Sequence, residues 1–186
     1  VSEETGLEGA WAFDPAAAGA TARTMINLDS EAEGVITAGC SGGMRTDITL
    51  PVTCEPAEGI AVKITLDGFT GGHSGVEIHE GHTNAIKAMG RLLLEESICG
   101  ARFKLVSING GGKDNAIPRG CEAVVMVEYN TKDVGGKELV AEIFCHEMER
   151  EAEKLSKEPN MIPADKNFTC TAEILPETPA YALDAK

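Results

Sequence analysis

Positive charge is scarce in this sequence. The 186 residues include 16 lysines and arginines against 30 aspartates and glutamates, and the formal net charge is −14. A protein with this surplus of negative charge repels nucleic-acid phosphates and anionic lipid headgroups. We therefore expect neither nucleic acid nor a membrane surface as a partner.

Long apolar runs are also missing. No stretch approaches the ~20 consecutive apolar residues that a membrane-spanning helix needs. The first residues show neither the basic nor the apolar region of a signal peptide, and the sequence begins at Val1 without an initiator methionine. This beginning favours a segment of a longer chain.

Cys-x-x-Cys pairs are absent as well. The six cysteines are dispersed along the chain: Cys40, Cys54, Cys99, Cys121, Cys145 and Cys170. Dispersed cysteines in a domain of this size favour buried, reduced thiols, although their even number leaves disulfides open. We predict a cytoplasmic protein.

Residues 57–175 carry strand and helix patterns in a regular order. Ile60, Val62, Ile64 and Leu66 alternate with polar or small residues, which predicts a half-buried strand. A helix follows, with Thr83 or Asn84 as its N-cap. Further patterns predict strands at 103–108, 121–129 and 168–175, and a second helix that Asp133 caps and Pro159 ends. The order β-α-β-β-α-β predicts an α+β, ferredoxin-like domain, with a four-stranded antiparallel sheet and two helices on one face.

Histidine is concentrated between the first of these strands and the first helix. Residues 68–82 hold three of the four histidines together with five glycines, which indicates a functional site. A mononuclear metal site on His73, His79 and His82 is one interpretation. The spacing argues against it, because only His79 and His82 match one helical turn. We favour one positioned histidine, His73, and two solvated ones.

Carboxylates lie at two further strand ends. Glu3 and Glu4 are adjacent, and Asp29 follows a short strand pattern. Carboxylates that converge at strand ends can bind a metal, and a hydrolytic metal site also needs a separate base for the bound water. Adjacent glutamates can divide these two roles.

A glycine-rich turn at residues 109–119 lacks the spacing of a phosphate-binding loop. It predicts a hairpin connection, and its functional interpretation is that Asn115, or as a second choice Arg119, contacts a ligand carboxylate.

Taken together, these motifs resemble those of the co-catalytic zinc peptidases of the aminoacylase and carboxypeptidase G superfamily, and within it those of the Xaa-His dipeptidases. The likeness covers residues 1 to about 156. It is carried by residues 3–10, 27–31, 39–43, 71–79, 109–111 and 115–119.

The resemblance implies a role for each candidate residue. Glu3 would be the general base, Glu4 would ligate one zinc ion and Asp29 the other. His73 would polarise the scissile carbonyl from a lid domain, and Asn115 would hold the carboxylate end of the substrate. The implied cofactors are two Zn²⁺ ions, with Co²⁺ or Mn²⁺ as alternatives. The implied partners are a dipeptide, of the carnosine-like Xaa-His type, and a second subunit bound through the lid.

The sequence also departs from this family. It lacks the His-x-Asp segment, the bridging aspartate and the downstream histidine that complete the metal site, and Glu128 stands where many relatives have an arginine. We therefore expect an inactive fragment of a metal-dependent dipeptidase that retains no zinc. Residues 1–43 would belong to the catalytic domain, 44–175 to the first half of a longer lid, and 176–186 to a tail. The alternative is a non-catalytic ferredoxin-like module that dimerises or binds a small ligand.

Overall fold

A computed structural model describes residues 9, 12–24, 26, 33–36, 38, 39, 44, 46–130 and 135–184. The chain divides into two compact units, residues 1–51 and 52–186. In the first unit, residues 15–19 form a turn in which Asp14 Oδ1 accepts the N–H groups of Ala16 and Ala17. The strands and both long helices of the described residues lie in the second unit. None of the described helices is long and apolar enough to cross a membrane.

The second unit is built on a four-stranded antiparallel sheet and a two-stranded ribbon. In chain order the strands are β1 (Cys54–Pro56), β2 (Ile60–Asp67), β3 (Phe103–Gly110), β4 (Cys121–Val127), β5 (Thr169–Ile174) and β6 (Tyr181–Leu183). The sheet has the order β3-β4-β2-β5, and every neighbouring pair is antiparallel. Ile60 lies opposite Val127, and Leu66 lies opposite Cys121. The turns that follow β2 and precede β4 therefore meet at the same end of the sheet.

Two helices connect these strands: α1 (Ala85–Ile98) and α2 (Gly136–Ser156). Asn84 caps α1, because its side chain accepts hydrogen bonds from the N–H groups of Ile86 and Lys87. The N-cap position of α2 is Gly135, and the predicted cap Asp133 lies outside the described residues. α2 ends three residues before Pro159, which cannot continue a helix.

The hydrophobic core lies between one face of the sheet and both helices. The residues of β2 and β4 that alternate toward this face, such as Val62, Ile64 and Val125, have no exposed surface. The buried side chains of the helices pack against them in one cluster, with Met89 and Leu92 from α1 and Phe144 and Met148 from α2. The α+β, ferredoxin-like arrangement predicted from the sequence is confirmed.

The ribbon of β1 and β6 contacts β3 of the sheet. Lys104 of β3 forms an ion pair with Glu55 of β1, with 2.5 Å between Nζ and Oε1. Ala61 and Met126, on the sheet face that faces away from the helices, are also fully buried. Residues 176–186, assigned from the sequence to a tail, thus contribute a paired strand. The division into residues 1–43, 44–175 and 176–186 stays a prediction.

The described cysteines are free thiols that differ in exposure. Cys121 is buried, Cys145 and Cys170 are partly buried, and Cys54 and Cys99 are exposed. The expectation of buried thiols is therefore wrong for Cys54 and Cys99, which lie on a short strand and at a helix end. Burial raises the pKa of Cys145 and of Cys170 to about 11, with a further contribution from Glu149. These two side chains are thiols, with little nucleophilic character, at neutral pH.

Candidate functional site

The histidine loop, which we define as residues 68–84, joins β2 to α1. It turns sharply at Gly71 and Gly72, where φ is 72° and 127°. A Cβ atom on Gly72 would lie only 2.8 Å from His82 Nδ1 and 2.9 Å from Glu77 Oε2. Glycine is therefore required at position 72 by backbone conformation and by close packing.

The histidine loop is joined by backbone contacts to the turn before β4. His73 forms an isolated antiparallel bridge with Ala116. The N–H of Ser74 donates to the carbonyl of Asn115 at 2.9 Å, and the N–H of Ile117 donates to the carbonyl of Gly72 at 2.8 Å. The structure thus brings together the backbones of the two segments from which His73 and Asn115 were proposed as site residues.

The imidazole ring of His73 is held by its own loop. Nδ1 accepts hydrogen bonds from the N–H groups of Gly75 at 3.0 Å and Val76 at 3.1 Å. Because Nδ1 is an acceptor, the neutral ring carries its proton on Nε2. The residue is exposed, and no described residue forms a hydrogen bond with Nε2. The geometry presents one N–H donor to solvent or to a ligand.

Glu77 stabilises the same turn by two hydrogen bonds to the backbone of His73. Its Oε2 atom accepts the N–H of His73 at 2.5 Å, and its own N–H donates to the carbonyl of His73 at 3.1 Å. Residues 78–80 continue the turn as a short 3₁₀ helix, Ile78–Glu80. The backbone around His73 is therefore fixed on both sides of the residue.

His79 and His82 differ in their surroundings. His79 is exposed, as expected, but the side chain of His82 is only 9% exposed and its Nε2 lies 3.2 Å from Glu80 Oε2. Its Nδ1 is buried and has no hydrogen-bond partner among the described residues. The expectation of a solvated His82 is wrong, because the missing side chain of Gly72 leaves room for the ring.

The three histidines do not converge on a metal position. Within the part of the chain that the structure describes, the ligand atoms of His73, His79 and His82 do not form a cluster within 4.8 Å of one another. The spacing argument against a mononuclear site on these residues agrees with this geometry.

Carboxylates form one cluster, but between the helices rather than at the histidine loop. Oxygen atoms of Glu96, Glu147 and Glu151 lie within 4.8 Å of one another, and no other cluster of this kind occurs among the described residues. Arg150 forms ion pairs with Glu147 and Glu151, and Lys154 forms one with Glu151. These cations already balance much of the negative charge. The proposed metal ligands Glu4 and Asp29, and the proposed base Glu3, lie outside the described residues.

Two further residues from the sequence analysis, Arg119 and Glu128, form contacts within the protein. Arg119 Nε donates to the carbonyl of Phe69 at 3.1 Å, so its guanidinium holds the start of the histidine loop. Glu128 follows the opposite end of β4, roughly 20 Å from the histidine loop by the rise of seven strand residues, and lies 3.8 Å from Lys104. Asn115 is partly buried beside the loop and stays the candidate for substrate binding.

Sequence reasoning missed Asp165. This residue is fully buried, and its carboxylate accepts the N–H groups of Thr70 and Thr83, at the two ends of the histidine loop. A single aspartate between Ala164 and Lys166 carries no motif. The only available signal was its position just before the strand pattern at 168–175.

The fold defines this unit as an α+β, ferredoxin-like domain. Residues 64–144 match the family described as peptidase dimerisation domain. The resemblance noted in the sequence is confirmed by this match.

Two relatives make the relationship more specific. The chain is 39% identical over 139 residues to the cytosol non-specific dipeptidase of Escherichia coli (strain K12). The aligned residues cover 72% of this chain and 27% of that protein. The crystal structure of an aminoacylhistidine dipeptidase from Vibrio alginolyticus matches with a TM-score of 0.61 and 26% identity, covering 73% of this chain and 26% of that one. The chain thus spans about a quarter of the length of each dipeptidase.

Proposed function

We propose that this chain is part of a metal-dependent dipeptidase in which the lid supplies His73 to the reaction. The observation that carries the proposal is the ring of His73, whose Nδ1 is held by two backbone N–H groups while Nε2–H is exposed. As water attacks a peptide carbonyl, negative charge develops on its oxygen. A fixed N–H donor stabilises that charge without having to reorganise.

The metal site would be provided by residues outside this lid. We propose Glu4 and Asp29 as ligands of two Zn²⁺ ions, with Co²⁺ or Mn²⁺ as alternatives, and Glu3 as the base that takes the proton of the attacking water. Carboxylate oxygens are ligands that zinc accepts, and a third carboxylate is suited to general-base catalysis. The ions would supply a bound water whose pKa is ~7 rather than ~16.

The 186 residues contain no His-x-Asp segment to complete such a site. We therefore expect the chain by itself to be inactive and to bind zinc weakly.

We propose Xaa-His dipeptides as the substrate class, with Asn115 holding the carboxylate end. The similarity to an aminoacylhistidine dipeptidase supports this choice. So does the hydrogen bond between Ser74 and Asn115, which places the Asn115 backbone beside that of His73. An amide N–H₂ group can donate to a carboxylate oxygen. The name of the Escherichia coli relative favours a broader dipeptide range, and a substrate panel separates the two.

The test is a comparison of His73→Ala with His79→Ala in the full-length protein that contains this chain. Each variant is assayed with zinc, cobalt and manganese against a panel of dipeptides, and its bound metal is measured. We expect His73→Ala to lower kcat by about 10²- to 10³-fold, the effect of removing one oxyanion donor, with unchanged metal content. His79 is an exposed histidine of the same loop and serves as the matched control. Equal losses in both variants, or loss of metal from His73→Ala alone, would contradict the proposal.

We further propose that the domain forms a homodimer. The match of residues 64–144 to a peptidase dimerisation domain favours this second role, which requires no catalysis. Sedimentation equilibrium of the chain should then give about twice its mass of 19.6 kDa. A monomer at all accessible concentrations argues against this role. A dimeric full-length protein that hydrolyses no dipeptide favours the non-catalytic alternative.

A further inference from the structure

Asp165 connects two points of the chain that lie thirteen residues apart. Its Oδ1 accepts the N–H of Thr70 at 2.7 Å, and its Oδ2 accepts the N–H of Thr83 at 2.6 Å. Thr70 precedes Gly71, Gly72 and His73, while Thr83 precedes Asn84, the cap of α1. One carboxylate therefore holds together the two ends of the histidine loop.

The carboxylate occupies a position in which its charge is costly. Asp165 has no exposed surface, and no described lysine, arginine or histidine forms an ion pair with it. Burial alone would raise its pKa, but the hydrogen bonds from Thr70 and Thr83 together outweigh burial and lower it. The ionised form is thus kept by donors of the histidine loop alone.

Neighbouring contacts fix Asp165 itself. It begins the 3₁₀ helix Asp165–Asn167, and its carbonyl accepts the N–H of Phe168 at 3.2 Å. The ring of Phe168 stacks on that of Phe69, with 4.5 Å between centroids and 18° between planes. Because Phe69 directly precedes Thr70, the beginning of the loop is fixed by a ring contact and a hydrogen bond to the same segment.

The histidine loop has a second attachment, which does not involve Asp165. The backbone bonds from Ile117 to Gly72 and from Ser74 to Asn115 hold the loop near His73. The same turn also holds both flanks of the loop, because Phe69 N–H donates to the carbonyl of Arg119 at 3.2 Å and Ala85 N–H donates to that of Pro118 at 3.1 Å. Asp165 differs from these bonds because its one side chain joins Thr70 and Thr83 to each other.

We propose that Asp165 is a positioning residue for His73, because its carboxylate closes the base of the histidine loop and so fixes the direction in which the His73 ring points. The inference rests on the proposed role of His73 at the substrate. Asp165 acts through the loop and does not touch the substrate.

The test uses the full-length protein and four forms of it: wild type, Asp165→Asn, His73→Ala and the double variant. Asparagine keeps the shape of aspartate but has only one acceptor oxygen. Its N–H₂ group is a donor and cannot accept the second backbone N–H. Val125→Ala, a buried change in the middle of β4, is the control for a general loss of packing. All forms are assayed at a temperature at which circular dichroism shows them folded, and their bound metal is measured.

We expect Asp165→Asn to lower kcat by about 10- to 100-fold and to change KM less, because a misplaced donor loses most of its effect in the transition state. In the His73→Ala background the same substitution should lower kcat no further, since its effect passes through His73. Val125→Ala should leave kcat within about twofold of wild type. Equal factors for Asp165→Asn in both backgrounds, or a wild-type kcat in the single variant, would overturn the proposal.

Hydrogen exchange gives a readout that does not depend on activity. The amides of residues 71–82 should exchange faster in Asp165→Asn than in wild type, while those of β2 and β4 stay protected. If His73→Ala leaves kcat unchanged, the proposed function fails. If the amide exchange rates of residues 71–82 are unchanged in Asp165→Asn, the role of Asp165 is rejected separately. If Asp165→Asn does not fold, Asp165→Glu replaces it. Glutamate keeps both acceptors on a longer side chain, and we expect it to lower kcat in the wild-type background and not in the His73→Ala background, whereas equal factors in both would overturn the proposal.

Discussion

At the scale of single residues, Gly72 determines how tightly the histidine loop can close. A Cβ on this residue would lie only 2.8 Å from His82 Nδ1 and 2.9 Å from Glu77 Oε2. Glu77 in turn accepts the N–H of His73. The missing side chain therefore lets a buried histidine and a carboxylate pack directly beneath the proposed catalytic residue.

Gly72→Ala should destabilise the second unit by about 1–3 kcal/mol, because φ of 127° is strained for any residue with a Cβ and two side chains must move. Gly112→Ala is the control, since a Cβ there meets no atom within 4 Å. Urea unfolding of both variants measures the difference. Similar free energies of unfolding for the two would show that the loop accommodates the extra carbon.

Glu96 and Asp165 are buried carboxylates with opposite pKa shifts. Burial raises the pKa of Glu96, with contributions from Glu147 and Glu151 that Arg150 and Lys154 oppose. The pKa of Asp165 is lowered, since its hydrogen bonds exceed the effect of burial.

These shifts determine how each carboxylate contributes to stability as pH changes. Folded Glu96 binds its proton more tightly than the unfolded chain does. Its contribution to stability is thus present below the ordinary pKa of glutamate and is lost as pH rises through the folded value. The contribution of Asp165 is present above the ordinary pKa of aspartate and is lost as pH falls through its folded value.

Glu96→Gln should consequently unfold at higher urea concentration than wild type at about pH 7, and the advantage should disappear at about pH 4. The glutamine keeps the shape of the side chain and removes the ionisation that the buried site disfavours. Denaturation curves at the two pH values measure the effect. An advantage of the same size at both would assign it to packing rather than to charge.

At the scale of elements, α1 contains a position that its surroundings do not constrain. Gly90 lies in the exposed middle of the helix, and a Cβ there would meet no atom within 4 Å. Gly90→Ala should stabilise the unit by about 0.5–1 kcal/mol through helix propensity alone. Asn84→Ala, at the N-cap of the same helix, should destabilise it by about 1 kcal/mol. Thermal unfolding of both measures the effects, and the same sign for both would contradict this account of α1.

The long elements could be predicted from the sequence because each carries its own periodicity. Alternating apolar residues identify β2, and the buried residues of α2 recur at spacings of three and four: Ala141, Phe144, Met148, Ala152 and Leu155. The strands β1 and β6 have three residues each and show no period, and their partners lie far apart in the chain. The surroundings of His82 and Asp165 were also beyond prediction, since each depends on a contact with a distant glycine or backbone N–H.

At the scale of the whole second unit, the ribbon of β1 and β6 joins its first and last described residues. Cys54 lies opposite Leu183, and the N–H of Asp184 donates to the carbonyl of Thr53 at 2.9 Å. Ala182 is 1% exposed, whereas its neighbour Tyr181 is 58% exposed. The end of the unit is therefore packed against the rest of the fold on one side only.

Ala182→Glu should destabilise the unit by about 2–4 kcal/mol, because it buries an unpaired charge. The same substituent at the adjacent exposed position, Tyr181→Glu, should change the free energy of unfolding by less than about 1 kcal/mol. Urea unfolding compares the two variants. Equal effects would mean that the ribbon is not packed in solution.

The hydrogen bonds from Thr70 and Thr83 to Asp165 also have a consequence for the order of folding. They connect residues 95 and 82 positions apart, and the stacking of Phe69 on Phe168 spans a similar distance. Contacts of such long range form late, since the intervening chain must first be ordered. On a ribosome, residues 68–84 emerge well before Asp165 has been synthesised. The proposed catalytic histidine would thus acquire its final orientation only after the chain has been made as far as Asp165 and Phe168.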